Sequence, residues 1–405
     1  MISLCMIVRD EAPQLPRFLA STAGLWDELC VADTGSLDTT REILQAAGAR
    51  IIDFPWIEDF AAARNASLAL AQGDWIIYLD ADEYPDPGLI AEIRQLERDP
   101  EAGAATLLMR NLRDHGRIEE QRLLRVFRRD ASIVFKHAIH ESASSSISAM
   151  LQAKALHTRH LSGHVEHIGY QPTLMQHKNK RQRDQRILEA SLAQEPNDLY
   201  SAFKLLELAN YWTDTALAEQ ASLHLLRQLE SLPADGLLKH HWAADLLARL
   251  ARTLYPSAAK DALRLLARHA VTPTQDFLET RGLFFEASGQ RSAAHDDFVA
   301  ALSLSQEGGH PGAMQVTSLL GLCRLALEAG DMAKAHQLSG RAIELSPCNT
   351  IALQYDLMLA DLAGGKPAAQ QRLAELARHY GPTPELASVA AGFGLTAISD
   401  SVLAP

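Results

Sequence analysis

No two of the four cysteines (Cys5, Cys30, Cys323, Cys348) stand at CxxC spacing. That removes zinc ribbons, dithiol redox motifs and a disulfide framework, and leaves them as small, mostly buried residues of a reducing compartment. An excess of basic charge is also missing. Lys and Arg number 38 against 50 Asp and Glu, a net charge of −12, with no basic lobe. Nucleic acid is therefore excluded as the main partner, because phosphate backbones demand clustered Lys and Arg. No apolar run reaches the length of a membrane span. The opening MISLCMIV is too short for the apolar region of a signal peptide and runs into RDE rather than a small-residue cleavage site. The expectation is a cytoplasmic protein without a transmembrane segment. At 405 residues, 47% hydrophobic and 22% charged, it is long enough for two or three domains and a sizeable core.

What is present first is an alternation of strand and helix patterns. ISLCMIV, ELCVAD, RIIDFPW and DWIIYLDAD read as strands, with helical spacing between them. Ser36 is the expected N-cap of the second helix and Gly48 its stop. This alternation predicts a parallel sheet covered by helices on both faces. Ligands of such sheets bind beyond the carboxyl ends of the strands, where Asp10, Asp33 and Asp80 fall.

From about Leu188 the composition changes to Ala and Leu at helical spacing. Small or aromatic residues at Gly282, Phe285, Ala294, Phe298 and Ala301 are matched in order by Cys323, Ala326, Ala335, Ser339 and Ala342. Leu357, Ala360, Ala369, Leu373 and Leu376 repeat the spacing more loosely. The pattern is that of tetratricopeptide helix pairs, in which small residues let two helices approach. A generic helical bundle is the alternative.

The chemistry concentrates in WIIYLDADEYPD, where an apolar strand ends in Asp80, Asp82 and Glu83. Two carboxylates at an open strand end repel unless a cation joins them. Hard oxygen ligands suit Mg²⁺ or Mn²⁺, ions that bind few protein carboxylates together with substrate phosphates. A solvated acidic turn is the other reading. Eight basic residues between Arg110 and Lys136, a second basic run from Lys178 to Arg186, and seven histidines from His137 to His177 read by density alone as polar surface.

The segments ISLCMIVRDE, VADTGSLDTTREI, FAAARNASLALAQGDWIIYLDADE, VFKHAIHES and HIGY, in this order, resemble the inverting glycosyltransferases of family 2. The resemblance is strong over residues 1–85 and weaker to about 186. It implies an α/β GT-A-like nucleotide-sugar-binding domain, 1–186, followed by an all-α helical-repeat (TPR-like) domain, 187–405. It implies a donor site at Val8, Asp10, Glu11, Asp33, Arg64 and Asp80, with a UDP-sugar the commonest donor. In such a nucleotide-sugar enzyme the basic runs and the histidines would meet a leaving diphosphate. Asp33 would meet the base, Arg64 the base or pyrophosphate, and Asp80 the ribose and metal-bound water. Asp10 stands where the family usually has Asn. Mn²⁺ or Mg²⁺ would be ligated by Asp82 and His167. Glu141 is the candidate base for the acceptor, with Asp130 second, and a buried partner of an Arg is its other reading. A surface ion pair with Glu58 or Asp59 is the alternative for Arg64, and an ordinary strand-end histidine that for His167. The repeats favour a peptide or protein acceptor over a glycan, and an oligomer is compatible with the sequence. A nucleotide-sugar-binding adaptor with little turnover is the first rival. A nucleotidyltransferase is the second, against which the Gly-free, acidic IVRDEAPQL speaks.

Overall fold

The structure is a computed structural model describing residues 1–112, 118–168, 180–307 and 312–395. Its sheet contains β1 (Ile2–Val8), β2 (Glu28–Asp33), β3 (Arg50–Asp53), β4 (Trp75–Tyr78), β5 (Glu83–Pro85), β6 (Ala102–Leu112), β7 (Ile118–Arg128) and β8 (His157–His167), in the order β3-β2-β1-β4-β7-β6-β8-β5. The first four strands pair in parallel, as their apolar runs predict. Strands β1 and β2 are buried almost throughout because both faces are covered. One face carries Leu4, Met6, Val31, Trp75 and Ile77; the other carries Cys5, Cys30, Ile76 and Phe127. A fully buried Leu or Ile side chain of this kind contributes about 2 kcal/mol.

The expectation of a wholly parallel sheet is corrected by β7, which enters antiparallel between β4 and β6, and by β5, antiparallel to β8. Because β6 and β8 pair in parallel, they run in the direction of β4. The carboxyl ends of β1, β2, β4, β6 and β8 thus share one edge, which carries Val8, Asp33, Asp80, Asn111 and His167.

Helices α1 (Leu15–Ser21), α2 (Thr40–Ala46), α3 (Phe60–Leu70), α4 (Pro87–Leu96) and α5 (Ser144–Lys154) accompany the sheet. Gly163 of β8 lies against α4 so closely that a Cβ there would stand 2.5 Å from Leu89. The second helix starts at Thr40, later than expected. Ser36 accepts from the Asp10 N–H instead of capping it. Gly48 does follow the helix, with φ of 77°.

Helices α6 (Lys180–Gln194), α7 (Leu199–Tyr211) and α8 (Thr215–Ser231) belong to the same compact unit as the sheet, Met1–Ser231. The second unit is Leu232–Pro405. It contains α9 (Ala243–Leu254), α10 (Ala259–Leu266), α11 (Gln275–Ala287), α12 (Arg291–Glu307), α13 (Val316–Glu328), α14 (Met332–Leu345), α15 (Thr350–Tyr380) and α16 (Pro384–Gly392). The small residues act as the repeat pattern requires. A Cβ on Gly282 would stand 2.9 Å from the Phe298 ring, and Ala294, Ala301, Ala335 and Ala342 are fully buried. The backbone of α15 leaves helical geometry at Gly364 and Gly365, so the third match is also a pair of helical pieces.

Candidate donor-binding and catalytic site

Two loops at the shared edge hold each other. Asp10, at φ 54°, accepts from the N–H groups of Leu37 (2.7 Å) and Asp38 (3.4 Å). The Glu11 N–H donates to Thr40 Oγ1 at 2.8 Å. Asp33, 5% exposed, folds its own turn by accepting from Gly35 and Ser36, and its other oxygen lies 3.7 Å from Arg41. Arg41 also pairs with Asp53 at the end of β3. The Val8 carbonyl accepts from the Thr34 N–H and hydroxyl, joining the ends of β1 and β2.

Arg64 stands at the centre of the site. Asp59 caps α3 by accepting from the Ala62 N–H, and Ala61, Ala63 and Ser67 bring the helix close to the sheet. Arg64, 3% exposed, thereby reaches under the edge. Its Nε donates to Glu141 Oε1 at 3.1 Å and its Nη2 to Asp80 Oδ1 at 2.5 Å. The ion pair with Glu58 or Asp59 weighed above is not what forms: Glu58 pairs with Arg186, and Asp59 is the cap. The next residue, Asn65, clamps Phe135 with both amide atoms, at 2.9 and 2.8 Å. The ARN triplet thus ties the Asp80 strand to the segment that carries Glu141.

A second buried cation lies beside this one. Arg125 of β7 donates to Glu83 Oε1 at 2.8 Å, and Glu83 Oε2 accepts from the Asp80 N–H at 2.9 Å. Burial would raise the Asp80 carboxyl, but Arg64 and Arg125 outweigh it and hold it at about 2. At Glu83 burial wins over Arg125 and pushes the carboxyl up to about 7.

That shift has a sign. Folded Glu83 keeps its proton at pH values where the unfolded chain, near 4.5, has released it. Its contribution to stability is complete below that value and is lost as pH rises through about 7. Asp80 works in a separate window, its contribution being lost as pH falls from 3.8 through about 2. In EDTA, the unfolding midpoint of the parent should fall from about pH 5 to about pH 8, and Glu83→Gln should flatten that slope. Equal slopes in the two proteins would remove Glu83 from the account.

Asp82 and His167 meet at the same edge. The Asp82 Oδ2 lies 3.5 Å from His167 Nε2. The other ring nitrogen of His167, Nδ1, lies 2.8 Å from Asn111 Oδ1. Asn111 is the register partner of His167 and is 3% exposed. A carbonyl oxygen at Nδ1 fixes that nitrogen as a donor, so Nε2 holds a proton toward Asp82 or, without it, offers its lone pair to an ion. Burial lowers the His167 pKa, but Asp82, Glu83 and Asp80 outweigh it and raise it. No group of three or more metal-binding side chains occurs among the described residues. One carboxylate and one imidazole fit an ion that draws its remaining ligands from substrate phosphates and water.

Other basic groups are spent elsewhere. Arg181 pairs with Asp214, and Arg183 with Asp184. His164 lies between Asp86 and Arg110. His177 and Lys178, where the second basic run begins, lie outside the described residues. Asp130 is corrected as a candidate base. It follows β7, whose end pairs with the start of β4 (Trp75↔Arg128), at the opposite edge of the sheet, and it is tied to Lys154. Sequence reasoning did not single out Arg125 and Asn111, which strand pairing places, or Arg41, which lies within VADTGSLDTTREI at the start of α2.

Residues 3–150 match the family model described as Glycosyl transferase family 2. These residues form a family 2 glycosyltransferase domain. A TPR repeat-containing protein of Synechococcus elongatus is 39% identical over 235 residues, 58% of this chain and 58% of that one. A glycosyltransferase of Rickettsia felis, itself uncharacterised, is 33% identical over 95 residues, 24% of this chain and 33% of its own. The chain thus spans little more than half the length of the first of these curated relatives. The crystal structure of glucosyl-3-phosphoglycerate synthase from Mycobacterium tuberculosis covers 47% of this chain and 79% of its own at 18% identity, with a TM-score of 0.34. Among the described residues, no helix of the protein is long and apolar enough to cross a membrane.

Proposed function

We propose that the protein is a cytoplasmic, metal-dependent inverting glycosyltransferase that moves a sugar from a UDP-sugar to a peptide or protein acceptor. Residues 1–186 form its catalytic domain and 187–405 its repeat region. The observation that carries the reading is the Asp82–His167–Asn111 chain at the strand-end edge of the family 2 domain. Asp82 and His167 would hold Mn²⁺ or Mg²⁺, and the ion, when bound, supplies positive charge for the diphosphate that leaves. Val8, Asp10, Glu11 and Asp33 frame the nucleotide. Arg64 fixes Asp80 on the donor side and Glu141 on the other. Glu141 takes the proton of the acceptor nucleophile as that atom bonds to the anomeric carbon. The bond from that carbon to the diphosphate oxygen breaks, and the electron pair leaves with the diphosphate. Among the described residues Arg64 is the hydrogen-bond partner of Glu141, through Oε1, so Oε2 is the oxygen offered to that proton.

A thermal-shift comparison of UDP-glucose, TDP-glucose, GDP-mannose and ATP, each with Mn²⁺, Mg²⁺ or EDTA, tests this. A UDP-sugar should raise the midpoint by roughly 3 °C or more, and only with the ion, because a ligand of the folded state stabilises by mass action. A shift with ATP and none with nucleotide sugars would favour a nucleotidyltransferase. The adaptor reading draws on the guanidinium held against Glu141, an unusual neighbour for a base. It requires stabilisation by UDP-glucose with no release of UDP, on water or on peptide acceptors.

A further inference from the structure

The segment carrying Glu141 runs from β7 to α5 and contains two left-handed residues, His137 (φ 72°) and His140 (φ 54°). Side chains with a Cβ keep that conformation only where the surroundings over-determine it. One restraint lies within the segment and one comes from α3. A bridge pairs Lys136 with Ser142, and the Phe60 N–H donates to the Ala138 carbonyl at 2.8 Å. The third comes from beyond the change in composition. Tyr200, in the first turn of α7, stacks on the His137 imidazole with centroids 3.7 Å apart and planes at 25°. Its hydroxyl donates to the His140 carbonyl at 2.8 Å. Tyr200 is 7% exposed, and Asp198 fixes its backbone by accepting from its N–H at 3.0 Å.

The carbonyl that Tyr200 grips belongs to the peptide joining His140 to Glu141. Holding that peptide plane fixes the Glu141 Cα and the direction from which its carboxylate approaches. We infer that Tyr200 is a positioning residue for Glu141, so that the first helices after the sheet belong to the catalytic apparatus rather than only to partner capture. The inference rests on Glu141 acting as the base.

The test uses the full chain. Tyr200→Phe keeps the stack and removes the hydroxyl; Tyr200→Leu removes both. Leu206→Ala, at a fully buried position of the same helix, controls for general loosening. One readout is UDP release from UDP-glucose with Mn²⁺; the other is hydrogen exchange at the Lys136 and Ser142 amides. Tyr200→Phe should lower kcat about tenfold with KM within about twofold, the mark of misplacement rather than lost binding. Tyr200→Leu should in addition raise exchange at both amides about tenfold. Leu206→Ala should lower the melting temperature more than Tyr200→Phe while leaving kcat and the two amides unchanged. The inference is overturned if Leu206→Ala matches the Tyr200 variants in both readouts, or if neither readout moves in Tyr200→Leu. Glu141→Gln separates the two questions. Normal turnover there removes the base assignment, while exchange at Lys136 and Ser142 still decides whether Tyr200 holds the segment.

Discussion

Replacing Arg64 by methionine should destabilise the protein by about 2–3 kcal/mol and abolish stabilisation by nucleotide. Methionine keeps most of the apolar stem but leaves Asp80 and Glu141, both bonded to the guanidinium, without their shared cation. Removing one member of a fully buried pair costs about 3–5 kcal/mol. The lower figure applies because Asp80 is 41% exposed and water screens part of its charge, whereas Glu141 is 17% exposed. Arg64→Lys should recover part of the loss, since an ammonium replaces the charge but not the two-pronged geometry. Denaturant midpoints of the three proteins decide it. A methionine variant as stable as the parent would mean that the two ion pairs contribute nothing net.

Asp82→Ala should remove ion-dependent stabilisation by UDP and lower turnover by about a thousandfold or more, because an ion then loses its carboxylate anchor. The fold should survive. Asp82 is 27% exposed and, among the described residues, its recorded side-chain partner is His167. UDP should still bind weakly in EDTA through the Asp33 side of the edge. Asn111→Ala offers a graded companion, because freeing the imidazole from its orienting partner lowers metal affinity by about 10–100-fold without touching a ligand. Full activity in Asp82→Ala that stays sensitive to EDTA would move the ion elsewhere.

Strands β1, β2 and β4 could be read directly because buried parallel strands print themselves as unbroken apolar runs, and the acids at their ends stand out against those runs; β3 is a mostly exposed edge strand. Strands β6 to β8 could not. Their residues alternate between core and surface, so Arg122, Arg125 and Arg128 read as a basic stretch although Arg125 points inward to Glu83. The position of Asp33, Asp80 and Asp82 at strand ends was legible from the apolar runs before them. The meeting of Asn111 with His167 depends on β6 pairing with β8 across about fifty residues, which no local pattern encodes. Glu141 was singled out as a carboxylate between Asp82 and His167 in sequence. Pairing with an arginine was one of its two readings, but not with Arg64, because that partner comes from α3.

The position of α7 within the first unit bears on how such a protein can be recombined. A chimera joined at residue 186, the domain bound expected from the sequence, would graft the sheet onto foreign helices and leave the loop of His137 and His140 without its ring and hydroxyl. A junction between Ser231 and Leu232 carries that support along. A cassette moved in one piece is therefore the sheet together with the three helices that follow it.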